Sequence, residues 1–221
     1  MGGSLQSLVI LLVLCAAALG QSVSVKDGNV FLKARDGGTI QITSSGLDSD
    51  PSLSLNQKLV VFVRRTPEAK IATGAGLLDT NELWIAETVA GSEAHRILAG
   101  HQEAFDSKKP SLAGFTSPRF STDGRNVYFL AQIAATSQHL FLLDLKSQQV
   151  RFLCRALSVE VLQTGEYAGF LIVLKDLPRV MPGRFVRYWL VKSNGEDVGD
   201  IGEESDLREF RRMFNSKSSA G

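Results

Sequence analysis

Apolar and polar residues alternate in short runs along most of the chain, and Gly, Pro, Asp and Asn break the runs at intervals. Alternation with a period of two predicts β-strands with one face buried. From Ser22 the pattern is strand throughout: Val23 and Val25 alternate with polar neighbours, Lys26-Asp27-Gly28-Asn29 supplies a turn, and Val30 to Ala34 follows as a second strand. Asp36-Gly37-Gly38 turns the chain again into Thr39 to Thr43, with Ile40 and Ile42 on one face. These strands make a first, incomplete unit. A second unit is expected from Pro51, whose missing N–H suits a strand start or an edge, with Asp48-Ser49-Asp50 ahead of it as an Asx turn. Its strands are Ser52 to Ser54, Leu59 to Arg64, Glu82 to Ala86 and His95 to Leu98, with a loop from Thr66 to Thr80. Leu59 to Val63 is apolar at both parities, so this strand is expected to be covered on two faces.

The third unit is tighter, with strands at Pro118 to Ser121, Asn126 to Ala131, His139 to Asp144 and Val150 to Cys154, and turns at Asp123-Gly124 and Lys146-Ser147. A degenerate fourth unit comprises Ser158 to Leu162, Tyr167 to Leu174, Arg187 to Val191 and, after Asn194-Gly195, Val198 to Ile201. The period then changes. Leu207, Phe210 and Phe214 fall at helical spacing, with acids before them and arginines after, which suits the helix dipole. A short amphipathic helix that caps an exposed sheet face or edge is predicted, with a frayed tail from Ser216.

Asp50 to Val63 and Ser117 to Leu130 repeat each other, with Pro, Ser and Phe in register at an offset of 67, and a fainter version starts at Ser158. A strand-turn-strand unit cannot bury its own apolar face and must stack on copies of itself. At these residues the chain resembles the TolB-like family of β-propeller repeats, whose blades open with Asp/Ser-Pro-x-aromatic-Ser-x-Asp-Gly and continue into an apolar strand ending in Phe. Ser117 to Phe129 carries this motif; Asp50 to Phe62 carries it in part, with Leu53 for the aromatic and Asn56-Gln57 for Asp-Gly. The resemblance implies an all-β fold of three to four propeller-like, four-stranded antiparallel blades with the short C-terminal helix. TolB-type proteins carry an α/β domain and six blades, whereas here an apolar N-terminal segment runs straight into strands. Roughly 45 to 50 residues per unit leaves at most four blades, closed as a ring or open as a fan.

Composition adds little to this picture except an address. With 44% hydrophobic and 21% charged residues the chain is globular, and a net charge of +1 gives no electrostatic reason to expect nucleic acid. Leu8 to Leu19 is unbroken apolar sequence, shorter than the ~20 residues of a bilayer span. Residues 1–20 are therefore expected to be a signal peptide cleaved before Gln21, with the repeat domain at 21–203 and the helix and tail at 204–221. An uncleaved anchor is the alternative, and a lipoprotein cysteine at Cys15 is a third option. The implied location is periplasmic or secreted. If Cys15 is removed, Cys154 alone remains, and its apolar strand predicts a buried inert thiol.

Catalytic signatures are missing from the sequence. No Gly-x-Ser-x-Gly is present, and His95, His101 and His139 are scattered without metal-ligand spacing. Neither metal nor cofactor is expected, and the chain is read as a non-enzyme. The acids Glu196, Asp197, Asp200, Glu203, Glu204 and Asp206 are read as a solvated rim, and Phe31, Phe62, Trp84, Phe120, Phe129, Phe141 and Trp189 as packing between blades. The basic, apolar loop Leu177 to Arg184 breaks the repeat, and its Arg179, Met181 and Arg184 are the expected binding residues. The expected function is an exported, non-catalytic scaffold of the bacterial cell envelope that recognises a protein partner through blade loops, with a homodimer through open sheet edges as a further contact. The alternative is a small-ligand or carbohydrate-binding partial propeller, or a vestigial regulatory propeller of a prolyl-oligopeptidase-type hydrolase, because the same motif precedes the catalytic domain of those enzymes.

Overall fold

The computed structural model describes residues 20–73, 76–101, 112–134, 137–177 and 185–218. They form four antiparallel sheets, each with its strands in chain order, and one helix. Blade 1 comprises β1 (Ser22–Lys26), β2 (Asn29–Lys33) and β3 (Thr39–Gln41). Blade 2 comprises β4 (Asp48–Leu53), β5 (Leu59–Thr73), β6 (Gly76–Glu87) and β7 (His95–Ala99). Blade 3 comprises β8 (Ala113–Phe120), β9 (Asn126–Ala134), β10 (Ser137–Asp144) and β11 (Val150–Arg155). Blade 4 comprises β12 (Ser158–Val161), β13 (Leu171–Leu177), β14 (Phe185–Val191) and β15 (Asp197–Gly202), followed by α1 (Glu204–Ser218). The expected all-β, propeller-like architecture with a C-terminal helix is the one observed.

The repeated motif is a self-contained turn. Ser121 Oγ donates to Asp123 Oδ1 and accepts from Asn126 N, while Arg125 N donates to the same Asp123 oxygen. In blade 2 the same bonds run from Ser54 Oγ to Asn56 Oδ1, from Leu59 N to Ser54 Oγ and from Lys58 N to Asn56 Oδ1. Gln57, at φ 59°, occupies the left-handed position that Gly124 fills at φ 69°. A short polar side chain two residues after the serine thus closes each hairpin, whichever of Asp or Asn supplies the oxygen. The motif therefore builds the blade.

Stacking explains the apolar runs. Along β5, Val61 and Val63 face blade 3 while Val60 and Phe62 face blade 1. Along β9, Val127 and Phe129 face blade 2, whereas Tyr128 and Leu130 face blade 4. The first strands lie side by side, β1 against β4, β4 against β8 and β8 against β12, and no substantial contact returns from blade 4 to blade 1 among the described residues. The two ends of this fan are finished differently. Blade 1 turns Val30 and Leu32 inward and leaves Ser22, Ser24, Lys33, Thr39 and Gln41 exposed, the polar outer face of a terminal repeat. Blade 4 turns Val159, Val161 and Val173 toward blade 3, and its other face is covered by α1.

Several local expectations are corrected. Asp48-Ser49-Asp50 is strand, not an Asx turn: Asp48 is buried and its carboxylate accepts from Arg64 Nε and Nη2 at 2.6 and 3.0 Å. The described parts of Thr66 to Thr80 are a hairpin arm, in which Lys70 pairs with Asp79 and Thr73 with Gly76 beyond a register shift. Tyr167 to Phe170 is a turn rather than strand, closed by Gly169 N donating to Leu162 O. Strand β3 stops at Gln41, two residues short of the expected end. Phe31 lies half-buried on the outer side of blade 1, opposite Val30 and Leu32, so it is not packed between blades. Residues 1–19, which contain the apolar run, lie outside the described residues; no helix of the described residues is long and apolar enough to cross a membrane.

Candidate functional site

The candidate site is where α1 meets blade 4. Gly202, at φ 115°, turns the chain out of β15, and a Cβ there would meet the Asp206 carboxylate at 2.1 Å, so glycine is required. Asp206 Oδ2 then accepts from Glu203 N at 2.8 Å and fixes the start of the helix. Leu207, Phe210 and Phe214 descend onto Leu162, Ile172, Leu190 and Ile201, and Tyr167 stacks beside Phe210 and Phe214 at 6.1 and 6.3 Å between ring centroids. Burying Leu207, 2% exposed, contributes about 2 kcal/mol to docking the helix.

The helix does not cover the sheet evenly. On one flank Arg211 is tied to Glu160 of β12. On the other flank Asp206, Glu209 and Met213 face β15 across an open groove of about 380 Å³. Leu190, Ile201 and Phe210 form its apolar floor, Val198 and Met213 its exposed walls, and Asp200, Asp206 and Glu209 its rim. β15 is the last strand of its sheet, so its outer edge has no pairing strand among the described residues. Arg187 Nε donates to Asp200 Oδ2 at 2.7 Å, and that bond holds the guanidinium above its ordinary pKa. The Tyr188 hydroxyl donates to Glu204 at 2.8 Å, which raises the phenol pKa. Glu209 has no ion pair among the described residues.

The residues singled out in the sequence are spread elsewhere. Arg179, Met181 and Arg184 lie outside the described residues; the strands that flank them pair Leu177 with Phe185. Of the acidic stretch, Glu196 pairs with Lys192, Asp197 with Lys175 and Asp200 with Arg187, so half of the expected free rim is neutralised locally. His95 opens β7, His101 bridges to Leu112 and His139 is buried in β10; among the described residues no three His, Cys, Asp or Glu side chains cluster as a metal site. Cys154 is half-buried rather than buried, and desolvation pushes its thiol up, away from the thiolate. Trp84 and Trp189 are only half-buried and carry cations, Arg64 at 4.2 Å and Lys175 at 5.0 Å from the rings. Sequence reasoning missed the groove because Val198 and Met213 sit on separate elements; their exposed apolar character beside acids was the available signal.

No family model matches the chain, and no curated protein sequence matches it. Solved structures do. TolB from Acinetobacter baumannii superposes with a TM-score of 0.55 at 15% identity, over 82% of this chain and 40% of that one. The β-propeller domain of the Trilobed protease from Pyrococcus furiosus, described as having an open velcro topology, gives 0.52 at 14% identity over 79% and 48%. An acylaminoacyl peptidase, in complex with Z-Gly-Gly-Phe-chloromethyl ketone, gives 0.50 at 13% identity over 83% and 30%. The chain thus spans less than half the length of each. At these identities the likeness concerns the fold alone: the blades are β-propeller blades of a kind found in TolB and in peptidases alike, and the resemblance is not specific to TolB.

Proposed function

We propose that this chain is a non-catalytic binding module on a partial propeller, of the regulatory type that peptidases carry beside a catalytic half. One observation carries the reading: the repeat motif is consumed in closing turns, while an open apolar groove with an acidic rim remains on the last blade. The likeness to the Trilobed protease propeller and to the acylaminoacyl peptidase supports the same class. A photo-crosslinking amino acid placed at Val198 or Met213, and at Ser24 on the polar face of blade 1 as a control, tests it in cells. Adducts are expected at the groove positions and not at Ser24. Hydrolysis of aminoacyl or peptidyl anilides by the purified chain, or adducts only at Ser24, would overturn the reading.

A second reading, an exported envelope scaffold for one protein partner, is favoured by the apolar run Leu8 to Leu19 and by the likeness to TolB. Fractionation of cells followed by N-terminal sequencing separates the two, since a mature start at Gln21 in an envelope fraction belongs to the second.

A further inference from the structure

Resting on the binding-module reading, we propose that the groove between β15 and α1 takes an extended peptide segment of a partner protein in which apolar residues alternate with Arg or Lys. Three features of the groove select this chemistry. The floor of Leu190, Ile201 and Phe210 is apolar, and the exposed walls Val198 and Met213 extend it, so burying an apolar anchor there is favourable. The rim keeps two carboxylates for a ligand: Asp206 and Glu209 line it without an ion pair among the described residues, while Asp200 is already held by Arg187. The unpaired outer edge of β15 runs along the groove, with main-chain N–H and C=O groups that an extended segment can meet and a compact ligand cannot.

The same features disfavour the other occupants. An anionic headgroup would face the Asp206 and Glu209 carboxylates. A second copy docked groove to groove about a two-fold axis would set those carboxylates against their own images. Gly199 sits at the middle of the strand, and a Cβ added to it meets no atom within 4 Å, so the space above it is open to a ligand. The backbone there is outside the left-handed region, so a larger residue enters without strain and blocks the groove.

The test uses the full chain and a fluorescein-labelled decapeptide of alternating Leu and Arg flanked by Gly, with a counterpart in which every Arg is Glu, read by fluorescence anisotropy. The Arg peptide is expected to bind at least tenfold more tightly than the Glu peptide. Its affinity should fall about tenfold in Glu209→Lys and at least as much in Gly199→Leu, and fall several-fold as salt is raised through the range that screens surface charges. Circular dichroism and thermal midpoints confirm that both variants fold. Equal binding of the two peptides, or full affinity in folded Gly199→Leu, would refute the inference. Sedimentation showing a dimer that Gly199→Leu dissociates would also refute it, in favour of self-association. If the peptides fail while crosslinks persist at Val198 and Met213, the peptide inference falls and the binding-module reading stands; if both fail, both fall.

Discussion

Asn81 offers the sharpest test of how the blades are joined. It lies on β6 of blade 2, and its side chain reaches across to β8 of blade 3: Nδ2 donates to Phe115 O at 2.8 Å, and Oδ1 accepts from Phe115 N at 2.7 Å. One amide thus imitates a strand neighbour for a residue that is 0% exposed. Asn81→Ala leaves the N–H and the C=O of Phe115 without partners in the packed seam. Each buried group left unsatisfied costs about 1–3 kcal/mol. Asn81 itself is half-buried, so water enters part of the vacated volume and the lower half of that range applies, about 2–4 kcal/mol for the pair. Against a total stability of about 5–15 kcal/mol this is a large fraction, and for a chain of this size it lowers the thermal midpoint by about 5–12 °C. Urea titration followed by tryptophan fluorescence measures it. Asn194→Ala is the control, because Asn194 Oδ1 accepts its hydrogen bond from Glu196 N in an exposed turn, and a loss below about 1 kcal/mol is expected. A loss within 0.5 kcal/mol for Asn81→Ala would show that the inter-blade amide is dispensable and that apolar contact alone joins the blades.

The other predictions concern the pair at the first seam, the motif turn and the helix. Asp48→Ala leaves Arg64 without its bidentate partner while its guanidinium stays stacked on Trp84; with the Arg64 side chain 18% exposed, some relief by solvent is available, and a loss of about 3 kcal/mol in chemical denaturation is expected. The Ser121 hydroxyl and then the Arg125 N–H hold Asp123 below the ordinary carboxylate range. Its contribution to stability is therefore present above the unfolded pKa of about 3.9 and is lost as pH falls through the lower folded value. Asp123→Asn should preserve the turn, as Asn56 does at the equivalent place, and flatten the decline of urea midpoints below about pH 4; an unchanged decline would remove Asp123 from the acid response. Leu207→Ala should cost about 2–4 kcal/mol and expose the outer face of blade 4, read as increased binding of a hydrophobic dye; full stability would mean that α1 is not anchored there.

Much of the fold was legible in the sequence because it rests on local periodicity. Alternation placed β1, β2 and the strands β9, β10 and β11 of blade 3, the double-parity run at Leu59 to Val63 announced a sheet covered on both faces, and the spacing of Leu207, Phe210 and Phe214 announced the helix. The offset of 67 marked two copies of one turn, since the Ser-to-Asp or Ser-to-Asn hydrogen bond needs nothing beyond five residues of chain. Tertiary structure decided the rest. Asp48 looked like a turn former because a carboxylate near a proline usually is one; only Arg64 across the hairpin makes its burial affordable. Thr66 to Thr80 lacked strand periodicity because a register shift between Thr66 and Lys70 breaks it. The fan has finished ends because blade 1 turns polar side chains outward and because α1 folds back over blade 4. The groove exists for the same reason: a cylinder laid over a twisted sheet cannot follow its outer edge, so Val198, Gly199 and Asp200 stay open beside Glu209 and Met213. Residues from two elements meet there through packing alone, and no spacing along the chain encodes their meeting.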